Sequence, residues 1–223
     1  MYMYYLFDLD GTITDPGEGI TNSVAYALEH FGIRVEDKTQ LYPFIGPPLL
    51  DSFRRFYGFS EKQADEAVKT YREYYRAEGI HQNLLYPGIS DVLKTLHDKE
   101  KILAVATSKP EPFARQILEH FGLAQYFTFI GGATFDVSRS KKADVIRYVL
   151  ETLHVEDKRQ VLMIGDRSHD IIGAKANGLD AMGVLYGYGC IEEFKGAGAD
   201  HIAKSPKDIL KQILEEKELE QDV

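Results

Sequence analysis

The chain has 223 residues, of which 44% are hydrophobic and 27% charged, a composition typical of a globular domain with room for an insertion. The 26 Lys and Arg are outnumbered by 35 Asp and Glu, and the net charge of −9 argues against a nucleic acid polymer as partner. The single cysteine excludes an intrachain disulfide, and no stretch resembles a signal peptide or a membrane span, so we expect a cytoplasmic protein without a membrane partner.

Several short apolar segments end in acidic, hydroxyl or glycine residues, which is the pattern of buried parallel strands. They are Tyr2–Leu9, Ile102–Ala106, Tyr126–Ile130, Val161–Ile164 and Ala181–Tyr186. Apolar residues spaced three and four apart, as in helices, lie between them at 89–96, 113–121 and 145–153. Alternating strands and helices indicate βαβ units, so we predict an α/β fold with a doubly wound, Rossmann-like parallel sheet.

The stretch 15–86 interrupts this alternation with successive helical patterns. Apolar residues recur at helical spacing in 20–31, 49–56 and 64–75, and Ser60 with Gln63 forms a capping box before the last of these. Proline and glycine at 46–48 and 87–88 mark the breaks in the chain. We therefore predict a core domain of residues 1–14 and 87–223 and an inserted helical subdomain of residues 15–86.

Polar side chains follow the predicted strands, where open α/β sheets bind their ligands. They are Asp8, Asp10, Thr107, Ser108 and Asp166, joined by Asp170 one helical turn later and by Lys141 and Lys142 at the start of a helix. Strand alternation puts Asp8 and Asp10 on the same side. A third carboxylate at Asp166 would be costly beside them without a cation, and oxygen ligands predict Mg²⁺ ahead of Ca²⁺.

This set of groups suits the transfer of a phosphoryl group. One carboxylate would attack phosphorus, and its neighbour two residues on would protonate the leaving oxygen and later take a proton from water. Thr107 would donate to a phosphoryl oxygen or cap the helix after Pro110, and the two roles are compatible. A lysine would stabilise the charge that develops in the transition state.

Four segments resemble, in order, the motifs of the haloacid dehalogenase (HAD) superfamily of phosphatases. They are F-D-L-D-G-T at 7–12, T-S-K-P at 107–110, Lys142 ahead of A-D-V-I, and G-D-R-S-H-D at 165–170. The resemblance covers nearly the whole chain. The combination of D-x-D-G-T with G-D-x-x-x-D about 150 residues later is far more specific than either half.

The resemblance implies a role for each matching residue. Asp8 would be the nucleophile, Asp10 the general acid and base, Thr107 a phosphate ligand and Lys142 the stabilising lysine, with Lys141 as the alternative. Mg²⁺ would be bound by the Asp8 carboxylate, the Asp10 backbone carbonyl and Asp166, with Asp170 orienting bound waters. We further expect substrate contacts at Gly11, Ser108, Gly46 and Arg54, although Arg54 also fits an exposed helix face.

The helical insert resembles the family's small cap, which closes over the site and selects the leaving group. The resemblance implies a Mg²⁺-dependent phosphatase that hydrolyses a small phosphorylated metabolite through an aspartyl phosphate. Within the superfamily, the whole sequence pattern is most similar to the phosphoglycolate phosphatase branch. A 5′-nucleotidase is the alternative, because F-I-G-P-P at 44–48 is found in some members with that assignment.

Two further interpretations use similar groups. A receiver-type phospho-acceptor module would hold an aspartyl phosphate without turnover, but the insert and Asp10 argue against it. A phosphomutase shares the motifs and differs only in the contacts of its cap. The sequence does not identify the substrate or the oligomeric state.

Overall fold

The structure, a computed structural model, describes residues 2–136 and 138–220. The chain divides into two compact units. One comprises the chain up to Thr14 and from Leu85 onward, and the other comprises Asp15–Leu84. The second boundary lies two residues before the predicted one.

The strands are β1 (Tyr4–Phe7), β2 (Thr14–Asp15), β3 (Leu84–Leu85), β4 (Ile102–Pro110), β5 (Phe129–Ala133), β6 (Val161–Gly165), β7 (Asp180–Val184) and β8 (His201–Ala203). The helices are α1 (Gly17–His30), α2 (Leu49–Tyr57), α3 (Glu61–Ala77), α4 (Ile89–Asp98), α5 (Glu111–His120), α6 (Lys142–Thr152), α7 (Ser168–Ala176), α8 (Ile191–Ala197) and α9 (Pro206–Glu220). Strands β2 and β3 form a separate two-stranded ribbon.

The first unit is built on a six-stranded parallel sheet in the order β5-β4-β1-β6-β7-β8. Strand β1 lies in the interior, where Phe7 is in register with Val105 of β4 and with Ile164 of β6. Chain segments that follow these three strands therefore begin at the same edge of the sheet. The predicted α/β class with a doubly wound parallel sheet is confirmed.

Apolar side chains from strands and helices form the core that fixes the helices to the sheet. Leu6, Ala104 and Met163 of the strands pack with residues of α6, α7 and α8, among them Val145 and Phe194. Burial of each large apolar side chain contributes about 1.5–3 kcal/mol, so this cluster holds the first turns of α6 and α7 in place at the edge of the sheet.

Some predicted strand boundaries are wrong. The first strand is shorter, and the one predicted at Tyr126–Ile130 lies at Phe129–Ala133, because Ala124–Tyr126 forms a short 3-10 turn. The strand predicted to end at Tyr186 ends at Val184. Strand β8 was missed, since it has three residues and a single fully buried one.

The second unit contains α1, α2 and α3. The predicted capping box of α3 is confirmed: the Ser60 amide donates to Gln63 Oε1 at 3.0 Å, and the Gln63 amide donates to Ser60 Oγ at 3.4 Å. Aromatic side chains fill the interior, with the rings of Phe53 and Phe59 stacked at 5.9 Å. In the part of the chain that the structure describes, no helix has the length and apolarity needed to cross a membrane.

Candidate active site

Three aspartates meet at the carboxyl edge of the sheet. Asp8 directly follows β1, Asp166 directly follows β6, and Asp170 lies in the first turn of α7. All three are buried, and each contributes a carboxylate oxygen within 4.8 Å of the others. The prediction that acids far apart in the sequence share one site therefore agrees with the geometry.

Lys142, the first residue of α6, completes this group. Its Nζ lies 2.9 Å from Asp8 Oδ1 and 2.8 Å from Asp170 Oδ1, and it donates to the Ala106 carbonyl oxygen at 3.0 Å. Lys141, the alternative lysine, is exposed. We call Asp8, Asp166, Asp170 and Lys142 the acid cluster, in which three carboxylates face one ammonium.

The pKa values of the acid cluster reflect its excess of negative charge. Burial raises the pKa of Asp166 well above its ordinary value, and the carboxylates of Asp170 and Asp8 raise it further. Burial also raises the pKa of Asp170 to about 6, against the opposing effect of Lys142. For Lys142, burial disfavours the charge, but Asp170 and Asp8 outweigh it and raise its pKa. A cation would relieve this imbalance.

The carboxylate oxygens of the acid cluster are suitable ligands for a hard divalent cation. Asp166 Oδ2 accepts a hydrogen bond from the Tyr188 amide at 2.9 Å, whereas Asp166 Oδ1 is buried and accepts none from any residue that the structure describes. A buried oxygen left without a donor is costly unless a ligand takes its lone pair. Carboxylate oxygens are the ligands that Mg²⁺ prefers, so Asp8, Asp166 and Asp170 are suited to hold it.

The carboxylate of Asp8 has one engaged oxygen. Its Oδ1 accepts from the Leu9 amide at 2.7 Å and pairs with Lys142. Within the described residues Oδ2 accepts no hydrogen bond. It therefore keeps its lone pairs for an electrophile or a cation.

Asp10 pairs with a different lysine, which was not among the predicted site residues. Lys109 Nζ lies 2.7 Å from Asp10 Oδ1 and 2.6 Å from Oδ2, and both side chains are buried. Burial raises the pKa of Asp10 above its ordinary value, and Lys109 opposes the shift. The Asp10 side chain is thus not part of the acid cluster, and its backbone carbonyl remains the predicted metal ligand.

Lys109 was detectable in the sequence. It follows Thr107 at the two-residue spacing that was used to put Asp8 and Asp10 on one side, and it belongs to the T-S-K-P motif. A lysine next to a strand end usually extends into solvent, so the motif by itself does not predict that Lys109 is buried.

The remaining predicted core residues also lie at this edge. Thr107 is buried, and its Oγ1 accepts from the Lys109 amide at 3.2 Å. Its expected capping of the next helix is wrong, because Pro110 occupies the N-cap of α5 and no side chain caps it. Ser108 is half-buried. Gly11 adopts φ +82°, and a Cβ there would overlap the Asp166 carboxylate.

Two predicted substrate contacts belong to the second unit. Gly46 adopts φ +101° after the 3-10 segment Lys38–Phe44, and Arg54 is exposed on α2. Their proposed role in binding stays a prediction.

Glu193 of α8 supports the turn that carries Asp166 and Asp170, and no sequence motif indicated it. Its Oε1 accepts from the Ser168 amide at 2.6 Å and from Arg167 Nε at 3.2 Å. Burial would raise the pKa of Glu193, but these hydrogen bonds lower it below its ordinary value. The first turn of α7 is therefore held from both sides, since Asp170 Oδ2 also accepts from the Arg167 amide at 3.0 Å.

The sequence profile of haloacid dehalogenase-like hydrolases matches residues 5–184. The chain belongs to this family. The crystal structure of a predicted phosphatase from Clostridium acetobutylicum superimposes with a TM-score of 0.94 at 50% identity, over 96% of this chain and 99% of that one. The predicted family and fold are therefore confirmed.

Curated relatives define the enzyme class. A 5′-nucleotidase of Pseudomonas aeruginosa is 44% identical over 96% of both chains. The tyrosine-protein kinase PtkA of Mycobacterium tuberculosis is 45% identical over a segment that covers 82% of this chain and 62% of that protein. The phosphatase-type relatives confirm the predicted class, a phosphoric monoester hydrolase.

Proposed function

We propose that this protein is a Mg²⁺-dependent phosphatase that hydrolyses a small phosphomonoester through an aspartyl phosphate on Asp8. The observation that carries the proposal is the acid cluster. In it, buried Lys142 bridges Asp8 and Asp170, and Asp166 Oδ1 has no hydrogen-bond donor among the described residues. The negative charge of this arrangement exceeds its positive charge, so it suits a divalent cation that binds together with a phosphate. A bound Mg²⁺ would neutralise the carboxylates and the phosphoryl oxygens.

In the first half-reaction, a carboxylate oxygen of Asp8 forms a bond to phosphorus while the bond between phosphorus and the ester oxygen breaks. Asp10 gives its proton to the departing alcohol. The raised pKa of Asp10 favours the protonated form that this step needs. In the second half-reaction, Asp10 takes a proton from water and the water oxygen bonds to phosphorus. The bond between phosphorus and the Asp8 carboxylate oxygen breaks, which frees the Asp8 carboxylate and inorganic phosphate.

Lys142 and Thr107 would stabilise the transferred group. The ammonium of Lys142 is fixed by Asp8, Asp170 and the Ala106 carbonyl, so it is preorganised beside the attacking carboxylate. The Thr107 hydroxyl accepts from an amide and retains its own hydrogen for a phosphoryl oxygen.

The second unit would serve as a cap that excludes water and selects the substrate. In this role, Arg54 on α2 and the Gly46 turn would contact the part of the substrate beyond the phosphate, and Gly11 and Ser108 would contact the phosphate itself. The proposed cap comprises residues 15–86, close to the compact unit Asp15–Leu84.

For the substrate, we place nucleoside monophosphates first and phosphoglycolate second. The 5′-nucleotidase relative supports this order, because it matches nearly the whole length of both chains. We propose a cytoplasmic location, which the unpaired and exposed Cys190 supports. The proposed partner is a small phosphorylated metabolite, with neither nucleic acid polymer nor membrane.

The test is a hydrolysis screen of nucleoside monophosphates, phosphoglycolate, sugar phosphates and phosphotyrosine in MgCl₂, repeated with excess EDTA. In parallel, rapid acid quenching followed by borohydride reduction should convert residue 8 to homoserine, detected by peptide mass spectrometry. We expect Mg²⁺-dependent phosphate release and the modified residue at position 8.

The outcomes separate the alternatives. Stable labelling of Asp8 without phosphate release would favour a phospho-acceptor module, and phosphate transfer to added tyrosine peptides would favour a kinase like PtkA. An undiminished rate in EDTA would remove the metal from the mechanism.

A further inference from the structure

Residues 186–189 form a loop that the proposed chemistry does not use, and this loop contacts Asp166. The Tyr188 amide donates to Asp166 Oδ2 at 2.9 Å. The other oxygen, Oδ1, is buried and accepts no hydrogen bond from the described part of the chain. The two oxygens of one carboxylate thus differ: the loop engages Oδ2 and leaves Oδ1 to a ligand.

Glycines on both sides of Tyr188 permit this contact. A Cβ at Gly187 would overlap Asp166 Cβ and the Gly11 carbonyl oxygen, and a Cβ at Gly189 would overlap the Asp166 carbonyl oxygen. Neither Gly187 nor Gly189 has a left-handed φ, so their backbone conformation does not itself require glycine. It is the close approach to Asp166 that excludes a larger residue.

The loop is also attached to the segment that carries the nucleophile. The Tyr186 hydroxyl donates to the Thr12 carbonyl oxygen at 2.9 Å, and its ring packs edge-on against Tyr86 at 4.9 Å. Because Gly11 touches both Gly187 and Asp166, the loop, the β1 turn and Asp166 form one packed unit. Movement of the loop would therefore move the Asp166 carboxylate.

We propose that the loop 186–189 is a positioning element for the metal: its Tyr188 amide holds Asp166 Oδ2 so that Oδ1 serves as the Mg²⁺ ligand. This inference rests on the proposed function, because it takes the acid cluster to be the Mg²⁺ site. Groups that orient a metal ligand typically change metal affinity by about 10- to 100-fold when altered.

The variant that tests the loop is Gly187→Ala, with Gly196→Ala as matched control. Gly196 lies in α8, and a Cβ there meets nothing within 4 Å. Titration of the metal-free protein with MgCl₂ by calorimetry should show about 10- to 100-fold weaker binding for Gly187→Ala and wild-type affinity for Gly196→Ala. The MgCl₂ concentration giving half-maximal activity should rise in parallel, and circular dichroism should show that both variants are folded before MgCl₂ is added.

A measurement on the wild-type chain covers the case in which Gly187→Ala does not fold. Hydrogen exchange of the Tyr188 amide should slow when MgCl₂ is added, because the metal fixes its acceptor, whereas exchange at Gly196 should not change. Equal Mg²⁺ affinity of Gly187→Ala and wild type, or Tyr188 exchange unaffected by Mg²⁺, would overturn the inference alone. Failure of the wild type to bind Mg²⁺ would instead refute the metal dependence in the proposed function.

Discussion

The acid cluster and the Asp10–Lys109 pair lie at the same edge of the sheet, yet they differ in the balance of negative and positive charge. In the acid cluster, Lys142 pairs with two of the three buried carboxylates, those of Asp8 and Asp170. In the pair, one lysine engages both oxygens of one carboxylate. A buried carboxylate in excess is stabilised by a cation or a proton, whereas in the pair the ammonium of Lys109 offsets part of the cost of burying Asp10. The edge of the sheet thus holds the acid cluster, in which carboxylates outnumber ammonium groups, and the Asp10–Lys109 pair, in which they are equal in number.

The largest expected effect is that of removing the nucleophile from the acid cluster. Asp8→Asn should lower kcat by at least about 10⁴-fold, since the amide cannot form the acyl phosphate. The metal-free variant should be at least as stable as wild type, because one excess charge is gone. Steady-state kinetics and urea unfolding check both points, with exposed Asp91→Asn as control. Substantial residual turnover would exclude covalent catalysis.

The next effect concerns the ammonium that the acid cluster shares. Lys142→Met should lower kcat by about 10²- to 10³-fold through loss of electrostatic stabilisation. It should also destabilise the metal-free protein by about 3–5 kcal/mol, because the carboxylates lose their cation. Lys141→Met, one residue away and exposed, should change neither quantity. If MgCl₂ failed to restore part of the lost stability, the metal would not lie at this cluster.

For the Asp10–Lys109 pair, loss of one partner should reduce the free energy of unfolding more than loss of both. Lys109→Met should destabilise the protein by about 3–5 kcal/mol, because it leaves Asp10 buried and unpaired. Combining it with Asp10→Asn should recover part of that loss, which a double-mutant cycle in urea measures. Exposed Lys99→Met is the control. Additive costs of the two substitutions would show that the pair does not act as a unit.

The smallest expected effect is the pH dependence of the metal-free protein. A carboxyl whose pKa is raised by folding binds its proton more tightly in the folded state, so its stabilisation is complete below about pH 4 and is lost as pH rises. For Asp170 the loss extends through about pH 6, and the raised pKa of Asp166 extends it further.

Thermal unfolding in EDTA should therefore show stability falling between about pH 4 and 7, by on the order of 2 kcal/mol. MgCl₂ should reverse this trend, since it replaces the proton. Asp166→Asn should flatten the profile. A metal-free profile that rises with pH would contradict the charge imbalance in the acid cluster.

Much of the fold was predictable because parallel strands have a simple sequence pattern. Buried runs such as Val161–Ile164 are apolar throughout, and their polar ends identify the edge of the sheet at which the candidate site lies. The pattern failed where glycines continue a strand: Gly131 and Gly132 belong to β5, and a Cβ at either would overlap neighbouring atoms. Tertiary packing, which a sequence pattern does not record, requires glycine there.

The candidate site shows the same division. The spacing of Asp8, Asp10, Asp166 and Asp170, together with their order along the chain, was enough to indicate the family and the acids of the site. The sequence did not distinguish Lys141 from Lys142. Adjacent residues at the start of a helix point in different directions, and only tertiary packing buries Lys142 and leaves Lys141 exposed.

The sequence by itself therefore determined which residue types meet at the edge of the sheet, since strand ends and motif order are properties of the chain. Only the tertiary structure decided how they pair. Lys109 binds Asp10 and Lys142 binds Asp8 and Asp170, and the Tyr188 amide takes one oxygen of Asp166. Among these partners, Asp8 and Lys142 are 134 residues apart in the sequence (142 − 8). Electrostatic pairing depends on distances of a few ångströms that no local pattern encodes.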